Sequence, residues 1–201
     1  MKATNILYEE HRIIIKVLEC LQKILDSANE SGKLDALAAR NAIDFFRNFA
    51  DGCHHAKEED RLFVAMQENG IPREGGPIGV MLMEHDLGRK YVRAMSNSVE
   101  LAAQGDRQAL GQFTQNAIDL KDLLQSHIDK EDQVLFPMAD QILVPEAADA
   151  LLSDFKKIEE HAGGSRHTHY LSLAKELCER YGIAFIEDEQ IRTIRQEFHL
   201  N

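Results

Sequence analysis

His54-His55-Ala56-Lys57-Glu58-Glu59-Asp60-Arg61-Leu62-Phe63 reads almost as a copy of His127-Ile128-Asp129-Lys130-Glu131-Asp132-Gln133-Val134-Leu135-Phe136. Aligned on Leu-Phe, His54 falls on His127 and Glu58 on Glu131. A second echo precedes each copy, Glu10-His11 before the first and Glu84-His85 before the second. His11 lies 43 residues ahead of His54, and His85 lies 42 ahead of His127. The chain is therefore His, then His-x-x-x-Glu, written twice. Residues four apart share one face of a helix. Four histidines and two carboxylates in that order are the inventory of a dinuclear metal site, because imidazole and carboxylate suit borderline and hard cations.

Helical periodicity runs outward from these motifs. Leu7, His11, Ile14, Leu18, Leu21 and Leu25 form one inner seam, which Ser31-Gly32 ends. A second seam, within about 34–68, carries Ile43, Phe46, Ala50, His54, Glu58 and Leu62, before Asn69-Gly70-Ile71-Pro72 and Gly75-Gly76-Pro77 break it. A third helix, from about 77 to 104, aligns Met81, His85, Gly88, Val92, Met95 and Val99. After the Gly105-Asp106 turn, a fourth aligns Leu110, Phe113, Ala117, Leu120, Leu124, His127, Glu131 and Val134. The expected fold is all-α, an antiparallel up-down four-helix bundle over 1–142. A C-terminal helical extension, 143–201, is expected to pack on it. The repeated histidines and glutamates occupy core positions, where polar groups are costly unless something satisfies them. A lone histidine on an apolar face is usually a hydrogen-bonded core residue. Six such residues, repeated in order, spacing and seam position, point instead to metal.

Composition excludes other classes. The chain has 201 residues, 23 basic and 34 acidic, for a net charge of −11. That balance speaks against nucleic acid and against an anionic membrane surface. No apolar run is long enough to span a bilayer, and no signal peptide is visible. Cys20, Cys53 and Cys178 form no disulfide framework, which suits a reducing cytoplasm. Glu-x-x-His on two helices, the ferritin-like pattern, fails because Asp51-x-x-His54 has Leu124 as its counterpart. There is no His-Glu-x-x-His, no glycine-rich phosphate loop and no Gly-x-Ser-x-Gly elbow.

Over residues 5 to 140 the doubled motif resembles the hemerythrin-like, or HHE cation-binding, family. The resemblance implies a four-helix bundle with two non-haem iron ions, oxo- or hydroxo-bridged. It makes His11, His54, His85 and His127 terminal ligands, with Glu58 and Glu131 bridging. His11 would pair with His54 on one iron and His85 with His127 on the other. Oxygen-carrying members have two histidines four apart on the third helix, whereas Met81 stands four before His85 here. A thioether is a poor ligand for iron in these oxidation states. Their second carboxylate is an aspartate five residues after its histidine, whereas Glu131 follows His127 by four. The expected activity is binding or reaction with oxygen, nitric oxide or peroxide, in sensing or detoxification rather than reversible carriage. Alternatives are iron storage, iron-centre repair, or a metal-dependent signalling module; whether there is turnover stays open.

Flanking residues receive lesser roles. His55, whose repeat counterpart is Ile128, is expected outside the ligand set. Glu59, Asp60 and Asp132 read as solvated, Tyr8 as a packing residue, and Cys53 as a small core residue. A helix over about 146–160 carries Leu151, Leu152, Phe155 and Ile158, and another follows with Leu171, Leu173, Ala174 and Leu177. His161, His167 and His169 share no helical face and read chiefly as loop and cap residues, the lesser alternative being that one of them reaches the mouth of the centre. Beyond Ile183 only Ile191, Ile194 and Phe198 show a pattern, suited to covering the bundle or to a homodimer contact.

Overall fold

The computed structural model of the chain describes residues 2–161 and 166–185. Among these there is no strand, and six helices account for the fold. Helix α1 (Ala3–Ser31) ends where Gly32 takes φ 69° and returns its amide to the Ala28 carbonyl. That left-handed cap costs a glycine nothing. Helix α2 covers 36–68, opened by Asp35, whose carboxylate accepts from the Ala38 amide. Helix α3 (Pro77–Ala103) starts on a proline, whose missing N–H is one of the unpaired donors of a first turn. Helix α4 covers 107–142, and Asp106 caps it through the Ala109 amide.

These four close into a bundle: α1 packs on α2 and α4, α2 on α3, and α3 along α4. The core between them takes Leu7, Ile14, Leu18 and Leu21 from α1 and Phe45, Phe46 and Phe49 from α2. Met95 and Val99 come from α3, Phe113 and Leu120 from α4. The expected seams are buried with two departures, both on α4. Leu110 is only partly buried, and Val134 is 52% exposed, with Leu135 inside instead. The cause of the second is local: Glu131–Leu135 winds as π-helix, which adds a residue to the turn and shifts every later position off the 3.6 period.

The chain then continues as α5 (Pro145–His161) and α6 (Arg166–Arg180). Helix α5 lies against α1 and the Glu58–Leu62 segment of α2, and α6 lies against α1 and α2. Phe155 is fully buried there, which contributes about 1.5–3 kcal/mol. Leu171, Leu173, Ala174 and Leu177 are buried on α6 as their spacing predicts. Tyr170 donates to Asp44 at 3.1 Å, and Arg180 to Asp35 at 2.8 Å. The Cys20 and Cys178 sulfurs touch at 3.5 Å across the α1–α6 contact, both as free thiols. Ile191, Ile194, Phe198 and the His161 side chain lie outside the described residues.

Candidate metal centre

Three stretches of widened helix build the centre. In α2, Phe46–His55 and Glu58–Leu62 wind as π-helix; in α4, Glu131–Leu135 does. The last two are repeat counterparts, so the doubled sequence folds into a doubled backbone. Short π stretches inside α-helices recur at functional sites. Here the wide turn brings His54 and His55, neighbours in sequence, both into the bundle interior.

The inward side chains form two groups. In one, His11, His54, Glu58 and Glu131 each offer an atom within 4.8 Å of the others; in the second, His55, Glu58, His85 and His127 do. Glu58 belongs to both. Its Oε1 is 3.4 Å from His54 Nε2 and its Oε2 is 3.4 Å from His85 Nε2. Glu131 also spans the gap, with one oxygen 3.2 Å from both His11 Nε2 and His127 Nε2. The Nε2 atoms of His85 and His127 face each other at 3.0 Å. All seven residues are 5% exposed or less. Met81 is buried but belongs to neither group, as does Cys53.

A layer of carboxylates holds the imidazoles from behind. Nδ1 of His11 meets Asp132 at 2.6 Å, His54 meets Glu10 at 3.0 Å, His85 meets Glu59 at 2.7 Å and His127 meets Glu84 at 2.8 Å. A carboxylate only accepts, so in the neutral ring the proton sits on Nδ1 and the Nε2 lone pair turns inward. Such a partner fixes ring orientation and raises ligand basicity. The layer obeys the repeat: Glu10 corresponds to Glu84 and Glu59 to Asp132. Lys57 pairs with Glu10 at 2.5 Å, as its counterpart Lys130 pairs with Glu84. His55 is the outlier, since its Asp51 contact is longer, 3.4 Å.

The donor set fits a cation. His11 Nε2, His54 Nε2 and all four carboxylate oxygens of Glu58 and Glu131 are buried without a hydrogen bond of acceptable geometry. Two carboxylates left so would be costly. Without metal, protons settle the charge. Burial lowers His11, but its hydrogen bond to Asp132 and the nearby Glu131 carboxylate outweigh it and raise its pKa to about 9. Burial and the Glu131 charge raise Glu58 well above the usual carboxylate range. Burial also raises Glu131, yet the His127 and His11 charges prevail and lower it. Burial, then neighbouring imidazolium charge, pulls His54 and His85 well down. A cation must therefore displace the His11 proton at neutral pH, so affinity rises with pH until that proton is lost near pH 9. Calorimetric titrations in two buffers of different ionisation enthalpy should report net proton release; no release, or uptake, would contradict the assignment.

Some sequence expectations need correction. His55 is buried and joins the second group, stacked on His85 at 3.8 Å between ring centres. Glu59 and Asp132 are not merely solvated but hold His85 and His11, while Asp60 is exposed as expected. Tyr8 packs edge-on against Phe136 and donates to the Asp132 carbonyl at 3.0 Å. His167 is no loop residue: α6 carries it, fully buried, to 4.0 Å from Glu10. His169 is exposed. The paired Glu-His echoes were a usable signal for Glu10 and Glu84; nothing local marked His167.

No curated protein and no solved structure matches the chain. A family model described as the hemerythrin HHE cation binding domain matches residues 2–139. That span contains α1 through the last turn but one of α4, and every residue of both groups. With the repeated motif, the bundle and the paired histidine-glutamate clusters in agreement, the chain belongs to the hemerythrin family of HHE cation-binding domains.

Proposed function

We propose that the protein holds two iron ions and reacts with oxygen, nitric oxide or peroxide as a cytoplasmic sensor or detoxifying protein. One observation carries this reading: two histidine clusters share Glu58, and Glu131 contacts a histidine of each. His11 and His54 would serve one ion, His55, His85 and His127 the other, with Glu58 and Glu131 between them. Bound there, two irons supply one-electron steps and sites for a small ligand. The donors are nitrogen and oxygen without thiolate, which favours iron over the sites that select copper(I) or structural zinc. Around them the chain's own residues fix the imidazoles by Nδ1 hydrogen bonds, and the buried apolar core excludes bulk water. His55 replaces as an imidazole what Met81 does not offer from α3. The His11 cluster is left with two imidazoles, the poorer set, and is the side where a small ligand is expected.

Protein produced with iron should contain about two iron ions per chain and, once oxidised, show near-ultraviolet absorption of a bridged ferric pair. After reduction it should reoxidise in air without a stable oxygen adduct. Iron-replete protein with no bound metal, or repeated reversible oxygenation, would refute the respective halves of the reading. Among the described residues no helix is long and apolar enough to cross a membrane.

A further inference from the structure

The internal repeat breaks along one stripe, and a cavity lies there. Repeat positions differ by 74 in the α1/α3 pair and by 73 in the α2/α4 pair. On one side stand Ile14, Ile15, Leu120, Leu124 and Ile128; their counterparts are Gly88, Arg89, Arg47, Asp51 and His55. Five apolar residues on α1 and α4 thus have one glycine and four polar residues as their counterparts on α3 and α2. The cavity, about 370 Å³, is lined by Arg47, Asp51, His55, Gly88, Arg89 and Arg93. The buried apolar side chains of Phe46, Ala50, Val92, Leu120 and Leu124 complete its wall.

We infer that this cavity binds an amphipathic organic anion, a carboxylate with an apolar chain, at the edge of the metal centre. Three arginines and one aspartate line it, in a chain of net charge −11. Arg89 is engaged by Asp51, Glu59 and Asp86 at 2.8, 2.5 and 3.0 Å. Arg47 and Arg93 are exposed, and among the described residues neither has an acidic partner. Guanidinium groups at such a rim attract and orient a carboxylate. Beside these charged groups Phe46, Ala50, Val92, Leu120 and Leu124 give the wall an apolar part, and a pocket of this size that joins apolar wall to convergent polar groups is a usual form of a small-molecule site. Gly88 makes the room: a Cβ there would meet only Leu120 and Leu123 carbons, at 3.9 Å. His55 lies on the cavity wall and also in the second cluster, so a ligand held here touches the residue that adjoins the centre.

The binding claim depends on the di-iron reading only for the identity of the centre that the ligand approaches. The test is a calorimetric titration of octanoate into metal-free and iron-loaded protein, with acetate and octylamine as controls. Octanoate should bind saturably in both forms, and each control at least roughly tenfold more weakly, since one lacks the chain and the other the charge. Arg47→Glu combined with Arg93→Glu, both on the surface, should weaken octanoate at least roughly tenfold. Gly88→Ile, which restores the residue found at Ile14, should fill the cavity and do the same. Metal content is measured in parallel. Absence of iron with octanoate bound would sink the di-iron reading alone. No saturable octanoate binding, equal binding of octylamine, or affinity unmoved by both variants would overturn the cavity assignment.

Discussion

Removing the metal lowers the melting temperature by roughly 8–16 °C at neutral pH, measured by scanning calorimetry with and without chelator. The estimate follows from linkage. A ligand present at a thousand times its dissociation constant stabilises the native state by about 4 kcal/mol. For a chain of this length each kcal/mol is worth about 2–4 °C. The structure gives the reason to expect tight binding rather than indifference. Six buried oxygen and nitrogen atoms on Glu58, Glu131, His11 and His54 have no adequate hydrogen bond. The unfolded chain has no preformed site, so nearly all of the binding free energy appears as stability.

The gap should also widen between pH 6.5 and 9. His11, with its folded pKa raised to about 9, stabilises the metal-free fold fully below its unfolded value near 6.5. That contribution is lost as pH rises through about 9, while metal binding strengthens over the same range. Superimposable melts with and without chelator would mean that these side chains satisfy one another, and the cation assignment would fall.

What could be read in the sequence was whatever depends on the helical period. Leu7 to Leu25 and Met81 to Val99 fix the faces of two helices, and Ile43 to Leu62 fixes that of a third. The same spacing places the six repeated residues on the inner seams. Errors gather where the period changes. Val134 fails because the π turn at Glu131–Leu135 intervenes. His55 lies at the end of the widened Phe46–His55 turn, which carries it inward beside His54, off the seam that the repeat marks. The carboxylate layer was half legible: Glu10 and Glu84 stand out as echoes. Glu59 and Asp132 look like ordinary surface acids until α1 and α3 are placed beside them. His167 reaches Glu10 through tertiary packing of α6, a relation 157 positions apart that no local pattern encodes.

Replacing either glutamate of the repeat should empty both metal positions, whereas losing His55 should weaken one. Each Glu58 oxygen faces a different histidine cluster, His54 on one side and His85 on the other, both at 3.4 Å. One Glu131 oxygen stands 3.2 Å from a histidine of each. Glu58→Ala and Glu131→Ala therefore remove a ligand and the neutralising charge from two cations at once. Metal analysis after dialysis should show content falling from about two ions to well below one per chain. His55→Ala leaves both carboxylates and four imidazoles, so one ion should stay tight and the other exchange readily. Removing a supporting carboxylate, as in Glu84→Gln or Glu59→Gln, should cost roughly 10–100-fold in affinity without emptying the site. Glu58→Leu separates metal loss from misfolding. It removes a buried carboxyl at similar volume, and the metal-free variant should melt no lower than metal-free wild type. If Glu58→Ala kept two ions, or if His55→Ala emptied both positions as completely, the shared-carboxylate arrangement would be wrong and His55 would be the residue on which the centre depends.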